Sequence, residues 1–273
     1  MLGVVEALRR RHGYAMIRTG PRLHRAIVDR LPTEADVEIL PGIRMVVDLS
    51  QPVELLMWWA GARYESPTPD ILDRWAASAS HFFDCGANAG FFALRAVVAG
   101  CPNVHAFEPN PVLHRRLADT AARNRLDALH AHQLGLSDRA DRLELSVPTT
   151  EEGHASFGPR DWDDADVFEV DVVAFDDWCR HAGIDLPERP SWVAKIDVEG
   201  FELRVVEGMA EALAAKAFAG VVVELNELTL QSCGTSIEEV VARLGALGYV
   251  EGLPRSGPPD LGNGFFVPVG SSA

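Results

Sequence analysis

Long apolar runs are missing from the sequence: no stretch reaches the roughly 18 uninterrupted apolar residues of a membrane span, which excludes an ordinary transmembrane helix. Cysteine is scarce. The four present, Cys85, Cys101, Cys179 and Cys233, stand far apart with no Cys-x-x-Cys pair and no matched histidine spacing, so they specify neither a zinc site nor a disulfide framework. Basic charge is short as well. With 25 Lys and Arg against 40 Asp and Glu, the formal net charge is −15, and a phosphate backbone would be repelled over most of such a surface. No nucleic-acid partner is expected. Arg9, Arg10, Arg11, Arg18, Arg22, Arg25 and Arg30 could offset this field locally, but only Tyr14 among them offers an aromatic platform, and they read as a solvated or self-docking helical face. They also interrupt the first 30 residues where a secretory signal would be apolar, so a cytoplasmic location and no membrane partner are expected.

What is present is an ordinary globular composition, 47% apolar and 24% charged over 273 residues, enough for one large domain or two small ones. Residues 1 to 78 read as a cap or lid: short helices at Val4 to Arg11 and His24 to Leu31, two strands around Pro41-Gly42, a helix begun by Pro52, and another capped by Thr68 or Asp70. Apolar surface on the N-terminal helices would favour a homodimer. From residue 79 onward the pattern is that of a catalytic α/β domain, with short apolar runs alternating with helical segments. The strands expected are 81–84, 104–107, 129–134, 143–147, 167–173, 193–197 and 220–224; the helices are 91–98, 111–124, 201–216 and 236–247. Tyr249-Val250 and Phe265-Phe266-Val267 close the chain as an antiparallel hairpin. The fold class is therefore α/β, a mostly parallel sheet of the Rossmann-like kind.

The strongest local signal is Phe82-Phe83-Asp84-Cys85-Gly86-Ala87-Asn88-Ala89-Gly90-Phe91-Phe92, an apolar strand entering a small-residue turn and then a helix. Gly86 and Gly90 permit a tight turn and close ligand approach, and the new helix's amides would face the crevice. Val104 to Glu108 ends in a carboxylate 22 residues after Gly86, where an acid reaches ribose hydroxyls. Asp84 at the strand end would repel a pyrophosphate and welcome an amino group or sulfonium, which favours S-adenosylmethionine over NAD.

The turn from Phe83 to Gly90, the strand end Phe107-Glu108-Pro109-Asn110-Pro111 and, most specifically, Lys195-Ile196-Asp197-Val198-Glu199-Gly200-Phe201-Glu202 resemble the FkbM-type S-adenosylmethionine-dependent methyltransferases. Gly61-Ala62-Arg63-Tyr64-Glu65 and Val222-Val223-Glu224 carry the same resemblance, which covers roughly residues 45 to 267. It implies the class I methyltransferase sheet of seven strands and O-methylation of a hydroxyl on a sugar or natural-product intermediate. By residue, it implies that Asp84, Gly86, Asn88 and Gly90 hold the methionine part of the cofactor, that Glu108 takes the ribose hydroxyls, and that Pro109 and Asn110 shape the adenosine wall. Ser137 and Asp138 follow the next strand, where adenine is commonly met; Asp138 could accept from the exocyclic amine or start a turn.

Asp197, at a strand end beside the expected methyl position, is the catalytic candidate, with a salt bridge to Lys195 as the structural alternative. Glu202 fits helix capping. Asp197 with Glu224 and Asn226 could offer oxygens to one hard cation such as magnesium, which would lower the acceptor's pKa. Without metal, a general base is needed, and His154, in the polar stretch 148–165, is the candidate; His132, in a strand, reads as structural. Tyr64, Glu65 and Glu199 are the acceptor-side candidates, with Trp58 and Trp59 bordering the pocket or filling the core. The rivals are an NAD(P)-dependent oxidoreductase and a non-catalytic cofactor-binding scaffold.

Overall fold

The structure is a computed structural model that describes residues 31–149, 152–158 and 164–271. The helices expected before residue 31 and the arginine run from Arg9 to Arg30 lie outside these residues. The first elements among the described residues are the hairpin strands β1 (Glu34–Leu40) and β2 (Ile43–Asp48), whose alternating buried and exposed residues lay one face on the core. Helix α1 (Pro52–Ala60) starts with proline in its first turn, where a missing N–H costs nothing, and α2 (Thr68–Ala76) follows a 3-10 turn at Gly61–Arg63. No side chain caps α2: its N-cap is Pro67, and Thr68 and Asp70 already belong to the helix.

The alternation of strand and helix then begins. Strand β3 (His81–Cys85) leads into α3 (Phe91–Val98), β4 (Val104–Phe107) into α4 (Pro111–Asn124), and β5 (Leu129–His132) completes one half of the sheet. Three strands, β6 (Gly135–Ser137), β7 (Asp141–Pro148) and β8 (Ala165–Ala174), form a separate small sheet in the order β6-β8-β7. After α5 (Phe175–Ala182) come β9 (Trp192–Ile196), α6 (Glu202–Gly208), α7 (Ala210–Ala214), β10 (Phe218–Asn226), α8 (Glu227–Ser232), α9 (Ile237–Ala246), β11 (Tyr249–Ser256) and β12 (Leu261–Pro268).

The main sheet has seven strands in the order β11-β12-β10-β9-β3-β4-β5. Pairs from β10 to β5 are parallel, and β12 runs antiparallel to both its neighbours. The order reverses between β3 and β9, which opens a crevice beyond their carboxyl ends where α/β sheets take ligands. Side chains alternate across the sheet. Phe82, Val193, Val222 and Phe265 pack towards β1, β2 and α1 to α3, while Phe83, Ala194, Val221 and Phe266 pack towards α6, α7 and α9. Residues 35 to 76 thus share one continuous core with a face of the sheet.

Two expectations are corrected. The segments 143–147 and 167–173 are strands but stand outside the main sheet: β7 and β8 pair antiparallel and expose charged residues along much of their length, whereas a parallel strand here is buried on both faces. The single helix expected over 201–216 is two, broken at Met209. Gly208 ends the first of them and lets the chain press against β6, since a Cβ there would stand 2.0 Å from the Ser137 carbonyl oxygen.

Candidate active site

The turn after β3 is held by its own backbone. Gly86 has φ +81°, and a Cβ on it would lie 1.8 Å from the Asp197 carbonyl oxygen, so only glycine lets the ends of β3 and β9 meet. Gly86 and Ala87 both donate to the Phe107 carbonyl, at 3.0 and 2.9 Å, and Gly90 donates to Ala87. Ala89 donates to the Asn88 side chain and Ala93 to Asp84 Oδ2 at 2.8 Å. The amides expected to face the crevice are therefore largely spent inside the protein. Asp84 is corrected with them: it is 1% exposed, lies beneath the first turn of α3 and does not line the cavity. Desolvation pushes its carboxyl up to about 7, against the pull of Lys195 and the Ala93 amide.

Glu108 stands opposite this turn. Its Oε2 accepts from the Asn88 amide at 2.7 Å and its Oε1 from the Asn110 amide at 2.8 Å, which fixes the carboxyl group at the cavity wall. Each oxygen retains a second lone pair, so the group can still receive two hydroxyls. Burial raises its pKa to about 7, opposed by those two amides. Pro109 lines the cavity as expected; Asn110 does not, because its side chain caps α4 by accepting from the Val112 amide at 2.9 Å.

The Lys195 to Glu202 segment supplies the polar floor. Lys195 is 1% exposed, its Nζ 2.5 Å from Asp197 Oδ2 and 4.6 Å from the Phe92 ring centre. Burial would lower the ammonium's pKa, but Asp197, Glu65 and Glu224 together hold the lysine charged. Beyond Asp197 the backbone turns through Glu199 (φ +53°) and Gly200. Glu202 staples this turn from inside, accepting from the Val198 amide at 3.0 Å and the Gly200 amide at 3.0 Å; it is 1% exposed, and desolvation raises it to about 7. Its capping role is thus a loop staple.

These residues meet in one cleft at the carboxyl ends of β3 and β9. Tyr64, Glu65, Gly86, Asn88, His154, Asp197, Glu199 and Glu224 all line it. Tyr64 packs edge-on against Phe91 at 4.9 Å and donates its hydroxyl to Glu65, whose carboxyl is raised by desolvation despite Lys195. Glu224 is driven well above the usual carboxylate range by burial and by Asp197. His154 reaches the cleft from an exposed 3-10 turn, and the Gly153 carbonyl beside it accepts from Asn88 Nδ2 at 3.3 Å.

Other expected residues fall elsewhere. Ser137 and Asp138 line a different cavity, where Asp138 pairs with Arg139 and Arg204. Trp58 and Trp59 are fully buried in the core. His132 stacks with His105 and Phe107 and is structural, as its strand position implied. Missing from the sequence reading were the apolar cleft residues Leu113, Leu136, Leu145 and Phe157. Leu136 sits one residue before the Ser137 chosen, and strand alternation was the signal that could have selected it.

The magnesium set does not fit. Asn226 caps α8 by accepting from the Leu228 amide at 3.2 Å, and the acids whose oxygens gather within 4.8 Å are Asp197, Glu202 and Glu224. Glu202 has given its oxygens to backbone amides, and Asp197 already holds the Lys195 ammonium. The expected set of Asp197, Glu224 and Asn226 is thus not assembled, and the acid cluster that forms in its place already holds the buried Lys195 ammonium.

A structure of M. jannaschii TYW2 in complex with AdoMet is 12% identical to this chain, covers 88% of each chain, and has a TM-score of 0.37. A SAM-dependent methyltransferase from Aquifex aeolicus is 12% identical over 76% of this chain and 92% of its own, with a TM-score of 0.44. For Precorrin-6y C5,15-methyltransferase from Geobacter metallireducens the figures are 12%, 72%, 84% and 0.41. No curated protein matches the sequence. The family model described as the methyltransferase FkbM domain matches residues 84–251, more than half of the chain. Its span takes in the β3 turn, Glu108 and the whole Lys195 to Glu202 segment, and leaves the oxidoreductase rival without support. The chain belongs to the FkbM methyltransferases, enzymes whose methyl donor is S-adenosylmethionine.

Proposed function

We propose that the chain is an O-methyltransferase acting on a hydroxyl of a small molecule, a sugar or natural-product intermediate, and that residues 1 to 78 form a cap on a catalytic unit of residues 79 to 273. The observation that carries this reading is the shared cleft, where Glu108 and Asp197 face one space. Asn88, Pro109 and Glu108 would hold the nucleoside, with Leu113, Leu136 and Phe157 as apolar walls. When bound, S-adenosylmethionine supplies an electrophilic methyl group, so that an oxygen–carbon bond forms as the carbon–sulfur bond breaks and sulfur keeps the electron pair.

Asp197 receives the hydroxyl proton in this scheme. Lys195 orients the carboxylate from a buried position, so its direction does not depend on the acceptor. His154, at the mouth of the same cleft, is the second residue able to take a proton. Lys195 supplies the positive charge assigned to magnesium, and the reaction runs without a divalent ion. The experiment is methyl transfer followed by release of S-adenosylhomocysteine. Chelator leaves the rate unchanged, and Asp197→Asn lowers kcat by roughly 10² to 10⁴-fold with donor affinity kept. Full activity in that variant would remove Asp197 as the base.

A further inference from the structure

The segment that carries His154 is held from two walls of the cleft. On one wall, Ser156 exchanges both backbone hydrogen bonds with Ser146 of β7, at 3.0 and 2.9 Å, and its buried hydroxyl donates to the Glu199 carbonyl at 3.4 Å. Phe157 follows and packs on Phe201 at 4.9 Å. On the other wall stands Asn88 of the β3 turn, whose Nδ2 donates to the Gly153 carbonyl while its Oδ1 accepts from the Ala89 amide. The fit there is close. A Cβ on Gly153 would stand 2.7 Å from Asn88 Nδ2 and 2.8 Å from Val53 Cγ2, so glycine lets the Glu152–His154 turn seat between α1 and the β3 turn. Asn88 itself holds a left-handed backbone, φ +53°, which asparagine adopts more readily than most residues.

A continuous chain of hydrogen bonds results. Glu108 Oε2 accepts from the Asn88 amide at 2.7 Å, and the Asn88 side chain reaches Gly153, the residue before His154, at 3.3 Å. Resting on the reading that the donor's ribose binds Glu108, we propose that Asn88, besides lining the donor side, is a positioning residue that couples donor occupancy to the place of the His154 turn. A ribose on Glu108 fixes Asn88, and Asn88 fixes Gly153. The Asn88 to Gly153 bond is the longer of the two and is the one that occupancy tightens, while the Ser146 and Ser156 pairing keeps the other end in place. Coupling of this kind is reciprocal, so a turn ordered by the donor in return holds the donor.

The test needs no acceptor. Hydrogen exchange of the peptide spanning 152–158 is followed with and without S-adenosylmethionine, and the donor's dissociation rate is measured in the wild-type chain, Asn88→Asp, Gly153→Ala and the double variant. Asn88→Asp keeps the oxygen that serves the Ala89 amide and loses the Nδ2 donor. Gly153→Ala leaves the β3 turn's own residues unchanged and, at a half-buried position, asks little of folding. The donor should slow exchange over 152–158 in the wild-type chain and lose that effect in both variants. Each variant should release the donor roughly three- to tenfold faster, and the double variant no faster than the quicker of the two, because both break one contact. Donor binding that leaves exchange over 152–158 unchanged, or rate effects that multiply in the double variant, overturns the coupling alone. Absence of donor binding to the wild-type chain overturns the site on Glu108 and this proposal with it.

Discussion

Glu108 shows how one carboxyl group can be both fixed and available. Two backbone amides set its direction, and the ribose hydroxyls would complete its shell. Glu108→Ala should weaken S-adenosylmethionine binding by roughly 10 to 100-fold, the equivalent of about 1.5 to 3 kcal/mol for hydrogen bonds to a charged group, as read by calorimetry. Because burial lifts this group to about 7, donor affinity should rise between pH 6 and pH 8 as the carboxylate forms, and Glu108→Gln should flatten that rise. Lys195 presents the opposite case, a buried cation surrounded by acids. Lys195→Met would leave Asp197, Glu65 and Glu224 without their counter-charge and should destabilise the fold by about 3 to 5 kcal/mol in denaturant titration.

The meeting of two strand ends is the critical feature at the scale of elements. Gly86→Ala places a Cβ 1.8 Å from the Asp197 carbonyl oxygen at a positive φ, so it should lower stability and also abolish donor binding by moving β3 and β9 apart. Thermal unfolding and calorimetry read the two effects separately. Elements of this kind were legible in the sequence: the helices 91–98 and 111–124 begin and end where punctuation puts them, because Gly90 and the Asn110-Pro111 pair are local signals. Glu108 stood out by its spacing from Gly86, and Asp197 by the strand that ends on it at the carboxyl edge of the sheet. What stayed hidden depends on partners far away in the chain. Strands 143–147 and 167–173 look like sheet strands until their mutual antiparallel pairing separates them. Asp138 and Asn226 carry attractive oxygens, but Arg204 claims the first and the Leu228 amide the second, neither of which spacing alone reveals.

Over the whole molecule, two sets of buried groups pull stability in opposite directions with pH. Asp84, Glu108 and Glu202 have carboxyls raised to about 7, so their contribution is complete below the unfolded pKa and is lost as pH rises through 7. His105 and His132, in the stack against Trp178, are lowered to about 3 and about 4 by burial and by each other's neighbours; their contribution is complete above the unfolded pKa and lost as pH falls. Between about pH 4.5 and 6.5 three carboxyls oppose two imidazoles, so unfolding free energy should fall gently as pH rises there, and should drop on acidification below that interval, where only the imidazole trend remains. Glu202→Gln removes one carboxyl from the balance and leaves two against two imidazoles, so its curve should become nearly level across the same interval in urea titrations at fixed pH. The −15 net charge adds self-repulsion as pH rises further. The central claim, however, concerns one ligand and one cleft. The most direct measurement is calorimetric titration of S-adenosylmethionine, and separately NAD, into the wild-type chain and Glu108→Ala. Saturable one-to-one binding of S-adenosylmethionine alone, weakened by roughly 10 to 100-fold in the variant, is the predicted result; equal affinity of the two proteins for S-adenosylmethionine, or binding of NAD in its place, would contradict the site described.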